Sequence, residues 1–90
     1  MATKPSVQIL YCHECGYLPD AVGMTDKLLR EFSHKLAGIT LVPGGDGAFE
    51  VTVDGSLVFS RLKEGRFPTL KDLRDAVRAS LEAKAAGSAS

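Results

Sequence analysis

Val7-Gln8-Ile9-Leu10-Tyr11-Cys12-His13-Glu14-Cys15-Gly16-Tyr17 decides the fold and holds the one concentrated patch of chemistry in the chain. The Val, Ile, Leu and Tyr residues ahead of the cysteines are β-prone, and the run is too short for an independent helix. It therefore predicts a buried strand that hands over to a Cys-His-Glu-Cys loop. A helical pattern follows at once. A strand that delivers Cys-x-x-Cys to a helix start is the setting in which thiol–disulfide exchange is usually found.

The spacing has a physical reason. Two intervening residues let the Cβ atoms of Cys12 and Cys15 approach disulfide distance in a tight turn, and so small a closed loop adds little stability. Such a bond is easily made and unmade. Unpaired amides at a helix start favour a thiolate. A protonated His13 would favour one too and Glu14 would oppose it, so their net effect has no sign from sequence.

Two plainer readings stand beside redox chemistry. A structural zinc site needs about four ligands, and the available ones are Cys12, Cys15, His13 and the distant His34. His34 is better explained as a surface residue near a helix C-terminus. The cysteines could also be inert core residues, but neighbours such as His, Glu and Gly describe a polar, accessible setting.

Ninety residues with 44% hydrophobic composition make one compact domain. Eleven Lys and Arg balance eleven Asp and Glu, which removes the electrostatic case for nucleic acid or an anionic membrane as partner. No apolar run has the length of a membrane span, and Met1-Ala2-Thr3-Lys4-Pro5-Ser6 lacks the apolar centre of a signal peptide. A cytoplasmic location is the expectation. In that reducing compartment a lone close pair of cysteines is catalytic, redox-sensing or metal-binding more often than a structural staple.

Downstream of the loop, Leu18, Val22, Leu29, Phe32 and Leu36, with Thr25 between, recur in steps of four and three. They predict the buried stripe of a helix, with Pro19 in its first turn and Gly38 as its stop. Ile39–Val42 reads as a second strand halted by Pro43-Gly44-Gly45-Asp46-Gly47. Strand, helix and strand in this length form a βαβ unit with parallel strands, and ligands meet such units beyond the carboxyl ends of the strands, where Cys12 lies. The PGGDG segment resembles a phosphate loop only superficially, since no Lys-Ser/Thr follows.

Phe49–Val53 alternates strictly and is joined by Asp54-Gly55 to Leu57–Ser60, the signature of a tight hairpin. Phe49, Val51 and Val53 should face the core, Glu50 and Thr52 the solvent. Lys63–Pro68 is an expected exposed connection, with Phe67 as an anchoring aromatic. Thr69 and Asp72 form a capping-box pattern ahead of a last helix striped by Leu70, Leu73, Val77 and Leu81. The expected organisation is a flexible N-terminus over residues 1–5, a domain over 6–82 and a flexible tail over 83–90.

The βαβββα order, with Cys-x-x-Cys after the first strand, looks like the thioredoxin-like α/β fold: a four-stranded mixed sheet with two helices. Three segments narrow the match: YCHECGY, GGDGAFEV and DGSLVFSRLKEGRFP. Together they resemble the selenoprotein W-like group of the Rdx family (the selenoprotein T, W and H relatives), over about Ser6 to Leu81. The resemblance implies a thiol-based oxidoreductase or antioxidant role. It matches Cys12 to the family's first cysteine and Cys15 to the position that is selenocysteine in some members. Sulfur at Cys15 lacks the nucleophilicity of a selenol. Thioredoxin logic makes the first cysteine the attacker, whereas the selenocysteine position makes Cys15 the attacking thiol and Cys12 the resolving one, the assignment favoured here. No counterpart of the thioredoxin cis-proline can be assigned to Pro43 or Pro68.

The leading expectation is thus a small thiol–disulfide oxidoreductase with catalytic Cys12 and Cys15 and no resident metal. No flavin, nicotinamide or haem motif is present, so protein disulfides or glutathione are the expected redox partners. The alternative is a redox-sensitive protein-interaction module without turnover, with Tyr17 and Phe67 as candidate contacts.

Overall fold

Ser6–Cys12 buries Val7, Ile9 and Tyr11 and exposes Ser6 and Gln8, the period of a strand covered on one face. In the computed structural model, which describes residues 4–88, this strand is β1. It is followed by α1 (Leu18–Phe32), β2 (Gly38–Gly44), β3 (Phe49–Val53), β4 (Ser56–Ser60), the single turn α2 (Arg61–Glu64) and α3 (Leu70–Ser88). The sheet order is β2-β1-β3-β4. β1 runs parallel to β2 and antiparallel to β3, and β4 pairs antiparallel with β3. This is the expected thioredoxin-like arrangement, with α2 as an additional turn between β4 and α3.

Both long helices cover one face of the sheet. Val7, Ile9, Phe49, Val51 and Val53 meet Ala21, Leu28 and Phe32 from α1 and Leu73 and Val77 from α3 in a single core. Burying each large apolar side chain contributes about 1.5–3 kcal/mol. Arg74 Nε donates to Glu31 Oε2 at 2.7 Å and ties α3 to α1 at the rim.

The expected stripe holds at its C-terminal end, where Phe32 and Leu36 are buried, and differs before it: Leu18, Val22 and Leu29 are 44%, 49% and 41% exposed, and Ala21 and Leu28 are covered instead. Over the first three turns the covered positions, Ala21 and Leu28, each lie one residue before the expected Val22 and Leu29, about 100° round the helix. The helix also ends earlier than the expected Gly38 stop. Ser33, with φ 48°, turns the chain into a 3-10 turn (Ser33–Lys35) that holds His34 on the surface.

β2 runs through Pro43 to Gly44 instead of halting at Val42. As an edge strand it can direct the proline's missing N–H away from the ladder. The Asp54-Gly55 turn has positive φ at both residues, 52° and 83°, the geometry of a type I′ hairpin. Glu50 is half-buried rather than solvated: its carboxylate accepts from Ser60 Oγ and, at 2.9 Å, from the Arg61 N–H. It thereby holds the start of α2. Within the connection expected to be exposed, Phe67 is half-buried and Pro68 buried.

At α3, Thr69 N–H donates to Asp72 Oδ2 (2.9 Å) and Asp72 N–H to Thr69 Oγ1 (3.1 Å), the reciprocal bonds of a capping box. The helix runs to Ser88, past the end of its apolar stripe, because alanine needs no burial to favour helix. At the other terminus, Pro5 is buried and its carbonyl accepts from the Ala37 N–H at 2.8 Å. Of the stretches expected to be flexible, residues 1–3 and 89–90 lie outside the described residues.

Candidate functional site: the Cys12–Cys15 turn

Cys12 is the last residue of β1, where it pairs with Gly44 of β2. Its N–H donates to Ala48 O at 2.8 Å, and the His13 N–H donates to Gly44 O at 3.0 Å. The β2–β3 loop therefore clamps the chain where it leaves the sheet. A side chain at Gly44 would meet Leu10, with its Cβ 2.9 Å from Leu10 Cδ1. The absence of one leaves that space to the Leu10 side chain.

From Cys12 the chain turns tightly. Gly16 N–H donates to His13 O (3.2 Å), Gly16 takes φ +75°, and Tyr17 N–H donates back to Cys12 O (3.3 Å). The turn brings the two Cα atoms to 5.3 Å, and the sulfurs are joined as a disulfide. α1 begins at Leu18, so Cys15 sits in the turn ahead of the helix rather than on its first residue. The donor that reaches a sulfur is the Cys15 N–H, 3.2 Å from Cys12 Sγ.

The two cysteines occupy different environments. Cys12 is 1% exposed, whereas His13, Glu14 and Cys15 are all exposed. A buried sulfur cannot meet a macromolecular disulfide without local opening; an exposed one can. His34, the remaining ligand type weighed for zinc, lies beyond the far end of α1, about 20 Å along the helix axis. The structure therefore unites Cys12, Cys15 and His13 and leaves His34 apart.

An aromatic wall continues from the turn. The rings of Tyr17 and Phe67 meet edge to face at 4.7 Å, and Phe67 meets Phe49 at 5.4 Å. Arg61 completes the wall. Its Cζ lies 5.2 Å from the Tyr17 centroid and 5.0 Å from that of Phe67, and its Nη1 donates to Gly47 O at 3.2 Å. Sequence reasoning did not single out Arg61. The available signal was an arginine directly after a strand, in a segment carrying an anchoring aromatic.

Comparison with known proteins agrees with this geometry. The model of the Rdx family matches residues 6–79. Migration and invasion enhancer 1 of Mus musculus is 36% identical over 74 residues, covering 80% of this chain and 61% of that protein. The chain thus spans about three-fifths of the length of that curated relative. A crystal structure of a Bordetella parapertussis protein aligns with TM-score 0.83 and 35% identity, over 87% of this chain and 99% of that one. A selenoprotein W-related protein from Vibrio cholerae aligns with TM-score 0.84 and 30% identity, over 88% and 99%.

Proposed function

The chain belongs to the Rdx family, in its selenoprotein W-like group, and from that premise we propose that it is a thiol–disulfide oxidoreductase working through Cys12 and Cys15. The observation that carries this reading is the asymmetry of the pair: an exposed Cys15 and a buried Cys12 at disulfide separation. The Cys15 thiolate attacks one sulfur of a substrate disulfide, forming a mixed disulfide and releasing the other sulfur as a thiolate. The Cys12 thiolate then attacks Cys15 Sγ, expels the second substrate thiolate and leaves the Cys12–Cys15 disulfide. Two electrons pass from the dithiol to the substrate, and the released thiolates take up the protons. The Cys15 N–H beside Cys12 Sγ stabilises charge on the resolving sulfur. Glutathione or a protein dithiol returns the two electrons.

Among the described residues no helix is long and apolar enough to cross a membrane; the cytoplasm is the proposed place of action. The apolar Leu18 and Val22, exposed on the first turns of α1 directly after the cysteines, favour the second reading, a surface whose contacts change with the redox state of the pair. Intact-mass titration in thiol buffers tests the first. A reversible loss of two hydrogens, with a midpoint between about −180 and −320 mV, supports an exchanging dithiol. A pair that stays reduced throughout overturns it. Partner capture in one redox state, with oxidant consumed once and no turnover, selects the second.

A further inference from the structure

Arg61 reaches both ends of the Cys12–Tyr17 turn without touching either cysteine through a hydrogen bond. At the entry, its Nη1 donates to Gly47 O, and Gly47 lies between Gly44 at the end of β2 and Ala48, whose carbonyls accept from the His13 and Cys12 N–H groups. At the exit, its guanidinium lies over the Tyr17 ring, and the Tyr17 N–H closes the turn on Cys12 O. The Arg61 backbone is fixed in turn by Glu50.

Two features distinguish this side chain from ordinary packing. No carboxylate pairs with its guanidinium among the described residues, and its Nε is buried without a hydrogen-bond partner. A partly desolvated cation with an unpaired nitrogen is a costly way to fill space that an apolar side chain would fill. Its placement is understandable where the guanidinium fork and planar face are both used, one on Gly47 and the other on Tyr17 and Phe67.

We propose that Arg61 is a positioning residue for dithiol exchange, bracing the β2–β3 loop against the Tyr17–Phe67 wall and so holding Cys12 and Cys15 at the separation from which the ring closes. The inference rests on the oxidoreductase reading above. Two thiols held in place present a high effective concentration to each other, which favours the disulfide over a mixed disulfide with an external thiol. Without the brace the turn samples wider separations. The Cys15 mixed disulfide then persists and the Cys12–Cys15 disulfide becomes easier to reduce.

The test equilibrates wild type, Arg61→Met and Arg61→Lys with reduced and oxidised glutathione below their melting temperatures, and counts dithiol, mixed disulfide and disulfide by intact mass. In Arg61→Met the constant for forming the disulfide should fall about threefold to tenfold, with the mixed disulfide rising as it falls. Arg61→Lys should recover part of the loss, because an ammonium can still donate to Gly47 O but cannot stack as a plane. A folded Arg61→Met with wild-type constants overturns the proposal and leaves Arg61 a structural residue. If Arg61→Met does not fold, unchanged constants in both Arg61→Lys and Tyr17→Leu overturn it equally. A wild type that forms no reversible disulfide in these buffers sinks the oxidoreductase reading and this inference together. A reversible wild type with indifferent variants removes the role of Arg61 alone.

Discussion

The N–H of the exposed Cys15 donates to the sulfur of its buried partner Cys12 across 3.2 Å. A donor aimed at a sulfur stabilises charge on it, and Cys12 Sγ is the sulfur least able to find such a donor in water. In the proposed exchange the exposed Cys15 is the thiol that substrates reach and the buried Cys12 the one that follows.

That division predicts opposite outcomes for the two serine variants. Cys15→Ser should lower reduction of a model aromatic disulfide at least about tenfold, since the accessible nucleophile is gone. Cys12→Ser should still attack but fail to resolve, accumulating a covalent adduct at Cys15 detectable by intact mass. Adduct accumulation in Cys15→Ser instead would reverse the order of attack.

Two adjacent leucines report which face of α1 is covered. Leu28 is 0% exposed and Leu29 is 41% exposed. Leu28→Ala should cost about 2–5 kcal/mol in a urea titration, whereas Leu29→Ala should stay within about 0.5 kcal/mol of wild type. Equal losses would mean that the helix is rotated from the orientation described.

The hairpin turn is sensitive to glycine. Gly55 has φ +83° with open space around its α-carbon, so Gly55→Ala meets backbone strain and no clash. It should lower stability by about 1–2 kcal/mol while leaving the glutathione equilibrium of the cysteines unchanged. No loss in chemical denaturation would show that the turn relaxes to a form that alanine accepts.

Acid stability should depend on the cap of α3. The Arg66 guanidinium, and then the Thr69 N–H, lower the Asp72 carboxyl to about 2. Because the folded value lies below the ordinary one of about 3.9, this contribution is complete above that ordinary value and is lost as pH falls through about 2. The stability gap between wild type and Asp72→Asn should therefore be constant above pH of about 4 and narrow below it. It should also shrink in salt, because the Arg66–Asp72 pair is largely exposed. A gap independent of pH would assign the cap to neutral hydrogen bonding alone.

Local chemistry made much of the fold legible. The alternation at Phe49–Val53, the Asp54-Gly55 turn, the Thr69/Asp72 cap and the Cys-x-x-Cys after a strand are each settled by neighbours within a few residues. Their structural counterparts followed directly. Pro43 shows where that locality ends: a proline ends many strands, but only the sheet order makes β2 an edge that accepts one.

By itself the sequence determined the order of the four strands and two long helices, the identity of the core strands and the pair of cysteines, because periodicity and turn geometry are written in short spans. Tertiary structure alone decided that Ala21 and Leu28, rather than Val22 and Leu29, meet the sheet; that Cys12 is covered while Cys15 is open; and that Arg61 lies on Tyr17, forty-four positions before it in the chain. Two helix stripes one residue apart have nearly the same periodicity, and only the surface they dock against distinguishes them. The same holds for the site, whose asymmetry comes from segments that approach it from distant parts of the sequence.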